Sequence, residues 1–192
     1  MTRIIAGQAR GRRLAVPTGR STRPTSDRTR EGLFSSVVAM LGGLAGAAVL
    51  DLYAGSGAVG LEALSRGASD VLMIESDRKA ADVIRRNIDA VGLPGARLIH
   101  DAVDRVLRRG PDAAGPRQLA FADPPYSTGD DELGTVLTLL LAEGWLVAEA
   151  LVIVERDTRS GPIKWPSGYA LDRSRRYGET TLWYGRASGD TT

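Results

Sequence analysis

The run Asp123-Pro124-Pro125-Tyr126 combines residue types that suit the handling of a planar base bearing an amino group. Two successive prolines remove two backbone N–H donors and stiffen the chain, so the nearby carbonyl groups are left to accept hydrogen bonds. A carboxylate and a rigid carbonyl can together accept both N–H bonds of an exocyclic amine, while an aromatic ring stacks on the base. The run therefore predicts chemistry at an amino nitrogen. The alternative is a proline-stiffened turn with an incidental aspartate.

A second chemical signal is the glycine-rich run from residue 51 to residue 60, which follows an apolar stretch and opens a helical pattern. Glycines at 55 and 57 allow a sharp turn and a close approach of the backbone to a ligand, and Gly60 allows tight helix packing. Glu75 follows the next apolar run, where a carboxylate can accept both hydroxyls of a ribose. The combination predicts a nucleoside-binding loop, and the alternative is a glycine-rich structural turn.

Composition excludes several other kinds of site. The 192 residues include no cysteine, which excludes disulfide scaffolds, thiolate zinc sites and the usual covalent route to cytosine C5 methylation. His100 is the single histidine, and alternation along a strand should point it away from the face that Asp101 uses. We expect no metal. No apolar run reaches the roughly 18 residues of a membrane span, and the first residues lack a secretory signal, so we expect a cytoplasmic protein without membrane contacts.

Basic charge is concentrated at the N-terminus. Residues 1–30 hold eight arginines against the single acid Asp27, whereas the rest of the chain carries more acidic than basic residues. Such an asymmetry favours an arm that binds nucleic acid on a neutral or acidic body. The predicted RNA-binding residues are Arg10, Arg12, Arg13, Arg20, Arg23 and Arg28.

Hydrophobic periodicity predicts the elements that position these residues. Runs 3–6 and 12–16 read as a short β-hairpin, and residues 17–24 read as a linker. The spacing of Leu33, Phe34, Val37, Val38 and Leu41 predicts one helix face that ends near residues 42–43. Further strands are predicted at 47–50, 71–74, 97–100, 118–122, 151–155, 169–173 and 180–184, and further helices at 59–65, 80–91, 103–108 and 132–142.

Alternation of strands and helices predicts an α/β fold with a doubly wound, mostly parallel sheet. The last two strands are joined by a tight turn and must be antiparallel. We therefore expect three parts: a basic hairpin arm and linker over 1–24, a main domain over 25–186, and a flexible tail over 187–192.

These motifs together resemble a class I S-adenosylmethionine-dependent methyltransferase that acts on an amino nitrogen. More narrowly, the runs RIIAGQARGRRLAVP (3–17), RPTSDRTREGLF (23–34) and RYGET (176–180) are similar to bacterial RsmD-type small-subunit ribosomal RNA guanine-N(2) methyltransferases. The resemblance extends from about residue 3 to residue 185. It implies a Rossmann-like fold and S-adenosyl-L-methionine as cofactor.

Site roles follow from the resemblance, residue by residue. It implies that Gly55, Ser56 and Gly57 hold the methionine part of the cofactor and that Glu75 binds the ribose. The rest of the implied cofactor site is Asp51, Tyr53, Asp101 and Ala102, with Asp51 under the amino-acid portion and Asp101 and Ala102 at the adenine. The implied catalytic residues are Asp123, Pro124, Pro125 and Tyr126.

The implied partner is ribosomal RNA, within a small subunit or an assembly intermediate, and we expect a monomer. One alternative is a DNA adenine amino methyltransferase, against which the short chain leaves no room for a sizeable target-recognition domain. Another is a non-catalytic RNA-binding relic, against which the acids at 51, 75, 101 and 123 are all present. A nicotinamide dehydrogenase shares the glycine loop but has no use for the tetrapeptide at 123–126.

Overall fold

A computed structural model describes residues 2–17 and 27–188. Its strands are β1 Thr2–Arg3, β2 Arg13–Leu14, β3 Ala48–Leu52, β4 Asp70–Ile74, β5 Ala96–Ile99, β6 Arg117–Ala122, β7 Leu146–Asp157, β8 Tyr169–Tyr177 and β9 Thr180–Ala187. Its helices are α1 Asp27–Leu41, α2 Ala58–Ser65, α3 Arg78–Val91, α4 Val103–Leu107 and α5 Asp130–Ala142, with a 3₁₀ turn at Thr158–Ser160. None of the helices described is long and apolar enough to cross a membrane.

The main sheet has the strand order β5-β4-β3-β6-β7-β9-β8. Strands β3 to β7 are parallel, and β9 pairs antiparallel with both β7 and β8. The chain winds outward from β3 to β5 and then returns to place β6 on the other side of β3, so the winding direction reverses between β3 and β6. Ligands of open α/β sheets bind at the carboxyl ends of the strands at such a reversal. The predicted α/β class, with its antiparallel end, is confirmed.

Helices cover both faces of the sheet, and alternate side chains along each parallel strand point to opposite faces. Phe121 and Ile153 pack with residues of α1 and α2 on one face. Ala122 and Val154 pack with residues of α4 and α5 on the other. Asp123 continues the alternation that begins at Phe121, so we place its side chain on the face that α1 covers.

Local signals define the limits of α3, the helix beside the glycine loop. Asp77 lies outside the helix in an extended conformation, and its side chain accepts a hydrogen bond from Ala80 N at 2.9 Å, which satisfies a donor that the first turn leaves open. The helix ends at Gly92, whose φ of 67° lies in the left-handed region that glycine adopts without strain. These caps place the start of α3 next to Glu75.

The N-terminal hairpin is shorter than predicted. Among the described residues, strand pairing joins Thr2 with Leu14 and Arg3 with Arg13, and Ile4 exchanges backbone hydrogen bonds with Arg12 and Gly11. The backbone N–H groups of Ile5 and Ala6 donate instead to the carboxylate of Glu62 on α2, at 2.7 and 3.0 Å. The hairpin therefore packs on α2 rather than extending its own ladder. Ile4 and Leu14 belong to the same buried cluster as α1 and α2, and the predicted division near residue 24 stays a prediction.

Element limits elsewhere differ from the predictions in a few places. Val38 is 45% exposed although the spacing placed it on the apolar face of α1, because the buried stripe follows Leu33, Phe34 and Val37 and each helical residue turns by about 100°. Strand β9 runs on to Ala187, the first residue of the predicted tail, which is buried in the sheet. Residues 189–192 of that tail lie outside the described part of the chain.

Candidate active site

A cavity of about 280 Å³ lies where the winding of the sheet reverses. Among its lining residues are seven predicted site residues: Asp51, Tyr53, Gly55, Ser56, Glu75, Asp123 and Pro125. They follow or end three adjacent strands, β3, β4 and β6, and parallel strands bring their carboxyl ends to one edge. The structure thus brings the two predicted signals, the glycine loop and the tetrapeptide, to one cavity.

The glycine loop is held by Glu75, which is 4% exposed. Gly55 N–H donates to Glu75 Oε2 at 2.9 Å, and Asp77 N–H donates to Oε1 at 2.7 Å. Glu75 thus braces the loop, and a carboxylate at the tip of the second strand is the residue type that accepts ribose hydroxyls in dinucleotide-binding folds.

Two further residues of the loop show why its local sequence is restricted. Gly57 has a φ of 75°, and a Cβ there would lie 3.0 Å from Met73 Sδ, so a larger residue meets both strain and a close contact. Tyr53 also has a positive φ, of 59°, which is uncommon for a residue other than glycine. Burial raises the pKa of the Tyr53 hydroxyl, with Glu132 and Asp104 adding to the effect. Its phenol thus stays protonated.

Asp51 lies beneath the loop and is 1% exposed. Gly60 N–H donates to its Oδ2 at 2.9 Å, which ties the end of β3 to the first turn of α2. Burial raises the pKa of Asp51 to about 8, against the opposing effect of the Gly60 hydrogen bond. The carboxyl group therefore holds a proton at neutral pH.

Asp123 lies just past the end of β6, and its backbone N–H is 3.4 Å from Leu52 O. Burial raises the pKa of the Asp123 carboxyl well above its ordinary value, and the nearby acids Glu155 and Asp51 raise it further. Within the described residues, no hydrogen bond reaches this carboxylate. The oxygens of Asp123 can therefore accept hydrogen bonds from a ligand, and its surroundings favour a ligand that donates them.

The rest of the tetrapeptide surrounds Asp123 at different depths. Pro125 lines the cavity, whereas Pro124 is buried behind it. Pro125 O accepts a hydrogen bond from Thr128 N at 2.9 Å, which closes the turn after the prolines. Tyr126 is 67% exposed and lies outside the cavity wall. A large exposed aromatic ring next to a cavity offers a surface on which a base can stack.

Asp101 and Ala102 lie at the same edge of the sheet, after β5, but outside the cavity wall. Asp101 Oδ1 accepts Ala102 N–H at 2.8 Å, and Asp101 Oδ2 accepts Arg109 Nη2 at 2.5 Å. These two contacts, first the Ala102 N–H and then Arg109, lower the pKa of Asp101. His100 is exposed, with Nε2 3.1 Å from Ser76 O.

Three residues of the site were not predicted. Glu155 on β7 is 7% exposed and neighbours Asp123, because Ala122 pairs with Val154 one residue earlier. An acid that ends an apolar strand is a signal that could have found it. Arg30 on α1 is fully buried in the cavity wall, where burial lowers its pKa, and its Nη1 donates to Thr2 Oγ1 at 3.2 Å.

Asn87 is the third unpredicted residue. It is 2% exposed, and no sequence signal marks it among the residues of α3. Its Nδ2 donates to Ser56 O in the glycine loop at 2.8 Å and to Ala15 O at 3.0 Å, and its Oδ1 accepts Ala15 N–H at 2.8 Å. Asn87 thus joins the glycine loop to the N-terminal hairpin.

The predicted RNA-binding arginines separate into groups. Arg10, Arg12, Arg13 and Arg28 are exposed. Arg12 Nη1 donates to Ala90 O at 2.7 Å, near the end of α3. Because α3 has 14 residues, this contact lies about 20 Å along the helix from Glu75. Arg20 and Arg23 lie outside the described residues.

Comparison with known proteins adds to this geometry. The family model for Conserved hypothetical protein 95 matches residues 2–186. Ribosomal RNA small subunit methyltransferase D of Escherichia coli is 36% identical over 98% of this chain and 92% of its own length. The protein of the same name from Haemophilus influenzae is 32% identical over 92% of this chain and 89% of its own.

A solved structure is also similar over the whole fold. The Escherichia coli protein yhhF, which carries the name of a methyltransferase, superimposes with a TM-score of 0.85 at 34% identity and 98% coverage of each chain. The match covers nearly the whole length of the chain. The strand order and the two motifs at one cavity are consistent with it. The chain therefore belongs to the Conserved hypothetical protein 95 family, the RsmD-type methyltransferases.

Proposed function

We propose that the protein transfers a methyl group from S-adenosyl-L-methionine to the exocyclic 2-amino group of a guanine in small-subunit ribosomal RNA. The observation that carries the proposal is Asp123, a partly buried carboxylate that accepts no hydrogen bond from the described residues and shares one cavity with the glycine loop and Glu75. The names of the relatives support ribosomal RNA as the substrate class.

The cavity fits the cofactor by the chemistry of its wall. Glu75 lines it with a carboxylate, the residue type that accepts ribose hydroxyls, and Gly55 and Ser56 bring the backbone of the glycine loop to the wall. When bound, S-adenosyl-L-methionine supplies an electrophilic methyl group on a sulfonium. Gly55, Ser56 and Gly57 would hold its methionine part, and Glu75 its ribose.

The ends of the cofactor have their own candidates. Asp51 and Tyr53 would lie at the amino-acid portion, and both line the cavity. Asp101 and Ala102 would contact the adenine. They lie outside the wall but at the same strand edge, so an adenine that extends past β4 would reach them.

Asp123 and the Pro124 carbonyl would act on the target nitrogen. The lone pair of a guanine amino group is delocalised into the ring, which makes the nitrogen a poor nucleophile. Two acceptors on its N–H bonds would favour a more tetrahedral nitrogen and stabilise the positive charge that develops as the N–C bond forms. The raised pKa of Asp123 also suits it to take the proton that the nitrogen then loses.

The target base must leave its stack to reach this site. Tyr126 presents an exposed ring beside Asp123, and stacking on it would stabilise the extruded base. The proposed substrate is ribosomal RNA within a small subunit or an assembly intermediate, on which the protein would act as a monomer.

The test of the function is methyl transfer to defined substrates. Purified protein and labelled S-adenosyl-L-methionine are incubated with small-subunit ribosomal RNA, with assembled small subunits and with duplex DNA, and the products are digested to nucleosides for mass spectrometry. We expect N2-methylguanosine from ribosomal RNA. N6-methyladenine in DNA would establish a DNA adenine amino methyltransferase instead. No transfer to any substrate would favour a non-catalytic RNA-binding protein.

The exposed arginines of the hairpin and α1 would contact phosphates. Changing Arg10, Arg13 and Arg28 together to Ala should flatten the plot of log K against log salt for RNA by about 2 to 3, at roughly 0.7 to 0.9 per phosphate contact. Changing Arg159, Arg175 and Arg176 of the closing hairpin region to Ala serves as the matched control. A larger change in the control than in the first variant would move the RNA contacts to β8 and the 3₁₀ turn at Thr158–Ser160.

A further inference from the structure

The side chain of Asn87 is hydrogen-bonded both to the glycine loop and to the N-terminal hairpin. A carboxamide has two N–H donors and one carbonyl acceptor. Both donors of Asn87 are used, one on Ser56 O and one on Ala15 O, and its oxygen accepts Ala15 N–H. The partners determine the orientation of the amide, because a backbone carbonyl can only accept and a backbone N–H can only donate.

The two segments that Asn87 joins also meet across the cavity. Ser56 lines it from the glycine loop, and Val16 and Pro17, which follow Ala15 directly, line it from the hairpin. A ligand that fills the cavity therefore contacts both segments. Asn87 lies 2% exposed behind them, out of reach of the ligand itself.

We propose that Asn87 is a positioning residue that couples the glycine loop to the N-terminal hairpin. Through this coupling, cofactor and RNA would each strengthen the binding of the other. The inference rests on the proposed function, since it needs one ligand in the cavity and RNA on the hairpin. Its physical basis is shared ordering: a ligand that restrains one segment also restrains the other through Asn87, so the second ligand has less freedom left to remove.

The rest of the hairpin has separate anchors, so loss of Asn87 should leave it folded on α2. Glu62 accepts the backbone N–H groups of Ile5 and Ala6, and Ser65 Oγ accepts Ala9 N–H at 3.0 Å. Ile4 and Leu14 remain buried in the core cluster. Asn87 differs from these anchors because it alone, among the hydrogen bonds of the described residues, joins hairpin and glycine loop through one side chain.

Ser65 supplies a matched control. Its hydroxyl makes two hydrogen bonds to the hairpin, accepting from Ala9 N and donating to Ala6 O at 2.5 Å, as Asn87 makes two to Ala15. Ser65 is buried like Asn87 and makes no hydrogen bond to the glycine loop. Ser65→Ala therefore removes a comparable hairpin anchor without touching the proposed coupling.

The experiment measures the affinity for S-adenosylhomocysteine by calorimetry, first with protein alone and then with protein saturated by a ribosomal RNA fragment. The ratio of the two dissociation constants is the coupling factor, which typically falls between about 5 and 150 in coupled systems. We expect about tenfold for the natural chain, less than twofold for Asn87→Ala, and about tenfold again for Ser65→Ala. Asn87→Asp has the same shape but lacks both donors, and it should also fall below twofold.

Three results would overturn the inference: a natural chain without coupling, coupling retained in both Asn87 variants, or coupling lost equally in Ser65→Ala. Methyl transfer by the natural chain is measured in parallel. Transfer without coupling would contradict this inference and leave the proposed function intact. Failure to bind S-adenosylhomocysteine or to methylate any RNA would contradict the proposed function itself.

Discussion

The two halves of the active-site edge are built differently. The half proposed to bind the cofactor, called the cofactor half, comprises the glycine loop, Asp51 and Glu75, at the ends of β3 and β4. The half proposed to bind the substrate, called the substrate half, comprises residues 123–126, after β6, and Glu155, within β7. In the cofactor half the acids accept backbone N–H groups, from Gly60 to Asp51 and from Gly55 and Asp77 to Glu75. In the substrate half Asp123 accepts none from the described residues.

This difference indicates which half is complete without its ligand. Backbone donors hold Glu75 and Gly55 in place before a cofactor arrives, so these two residues need little ordering on binding. Burial and, after it, the neighbouring acids Glu155 and Asp51 raise the pKa of Asp123, which makes a ligand N–H donor a stabilising partner. The cofactor half is therefore expected to govern affinity and the substrate half turnover.

The largest effect is expected in the substrate half. Asp123→Ala should lower kcat by about 10² or more, because it removes an acceptor that meets charge developing in the transition state. Affinity for S-adenosylhomocysteine should stay within a few-fold. Asp123→Asn keeps one carbonyl acceptor and should lose less. Single-turnover kinetics with labelled cofactor measure the rate, and an unchanged rate in Asp123→Ala would remove the residue from the mechanism.

Glu75 tests the cofactor half. Glu75→Ala removes a charged acceptor worth roughly 1.5 to 3 kcal/mol, so affinity for S-adenosylhomocysteine should fall by about 10- to 100-fold in calorimetry. The 2′-deoxy analogue separates ribose binding from bracing of the loop. The natural chain should bind the 2′-deoxy analogue more weakly than the parent ligand. Glu75→Ala should bind the two ligands with the same affinity. The same loss of affinity for the analogue in both proteins would contradict the ribose assignment.

Asp51 gives a pH dependence of stability. Its folded pKa of about 8 lies above the ordinary value of 3.8, so the folded state binds this proton more tightly than the unfolded state. The free energy of unfolding should therefore fall as pH rises from about 4 to about 8. Asp51→Asn keeps an acceptor for Gly60 N–H and removes the titration.

Urea denaturation at pH 5 and pH 8 measures the effect of Asp51. The loss of stability between these two pH values should be smaller in Asp51→Asn by about 2 kcal/mol, allowing for partial relaxation around a buried acid. Asp123 adds a dependence of the same sign, so the variant should keep some slope. A loss as large as that of the natural chain would show that Asp51 does not titrate in this range.

The smallest effect is expected at Asp101. Its carboxylate already accepts Ala102 N–H and Arg109 Nη2, so it would add a single hydrogen bond to an adenine. Asp101→Ala should weaken S-adenosylhomocysteine binding by about three- to tenfold. Arg109→Ala is the control, since it removes the shorter of the two ion pairs of Asp101, keeps the one with Arg105, and leaves the carboxylate available. Unchanged affinity in Asp101→Ala would refute the adenine assignment.

Much of this edge could be predicted because its signals are local. The glycine loop lies between a strand and a helix within residues 48–65, and Glu75 and Asp123 each follow an apolar strand directly. Parallel strands place such residues at one edge whatever their separation along the chain. Glu155 follows the apolar run of β7 in the same way, so the reasoning that predicted Glu75 and Asp123 could also have predicted Glu155.

The sequence by itself determined the fold class, the order of strands and helices, and the two motifs that share a cavity, because hydrophobic periodicity and turn residues act over a few neighbours. Only the tertiary structure decided how the N-terminal segment joins the site. Asn87 meets Ala15 across 72 residues and Ser56 across 31, and Glu62 meets Ile5 across 57. Those partners are backbone groups, which every residue type carries, so no pattern of side chains announces them.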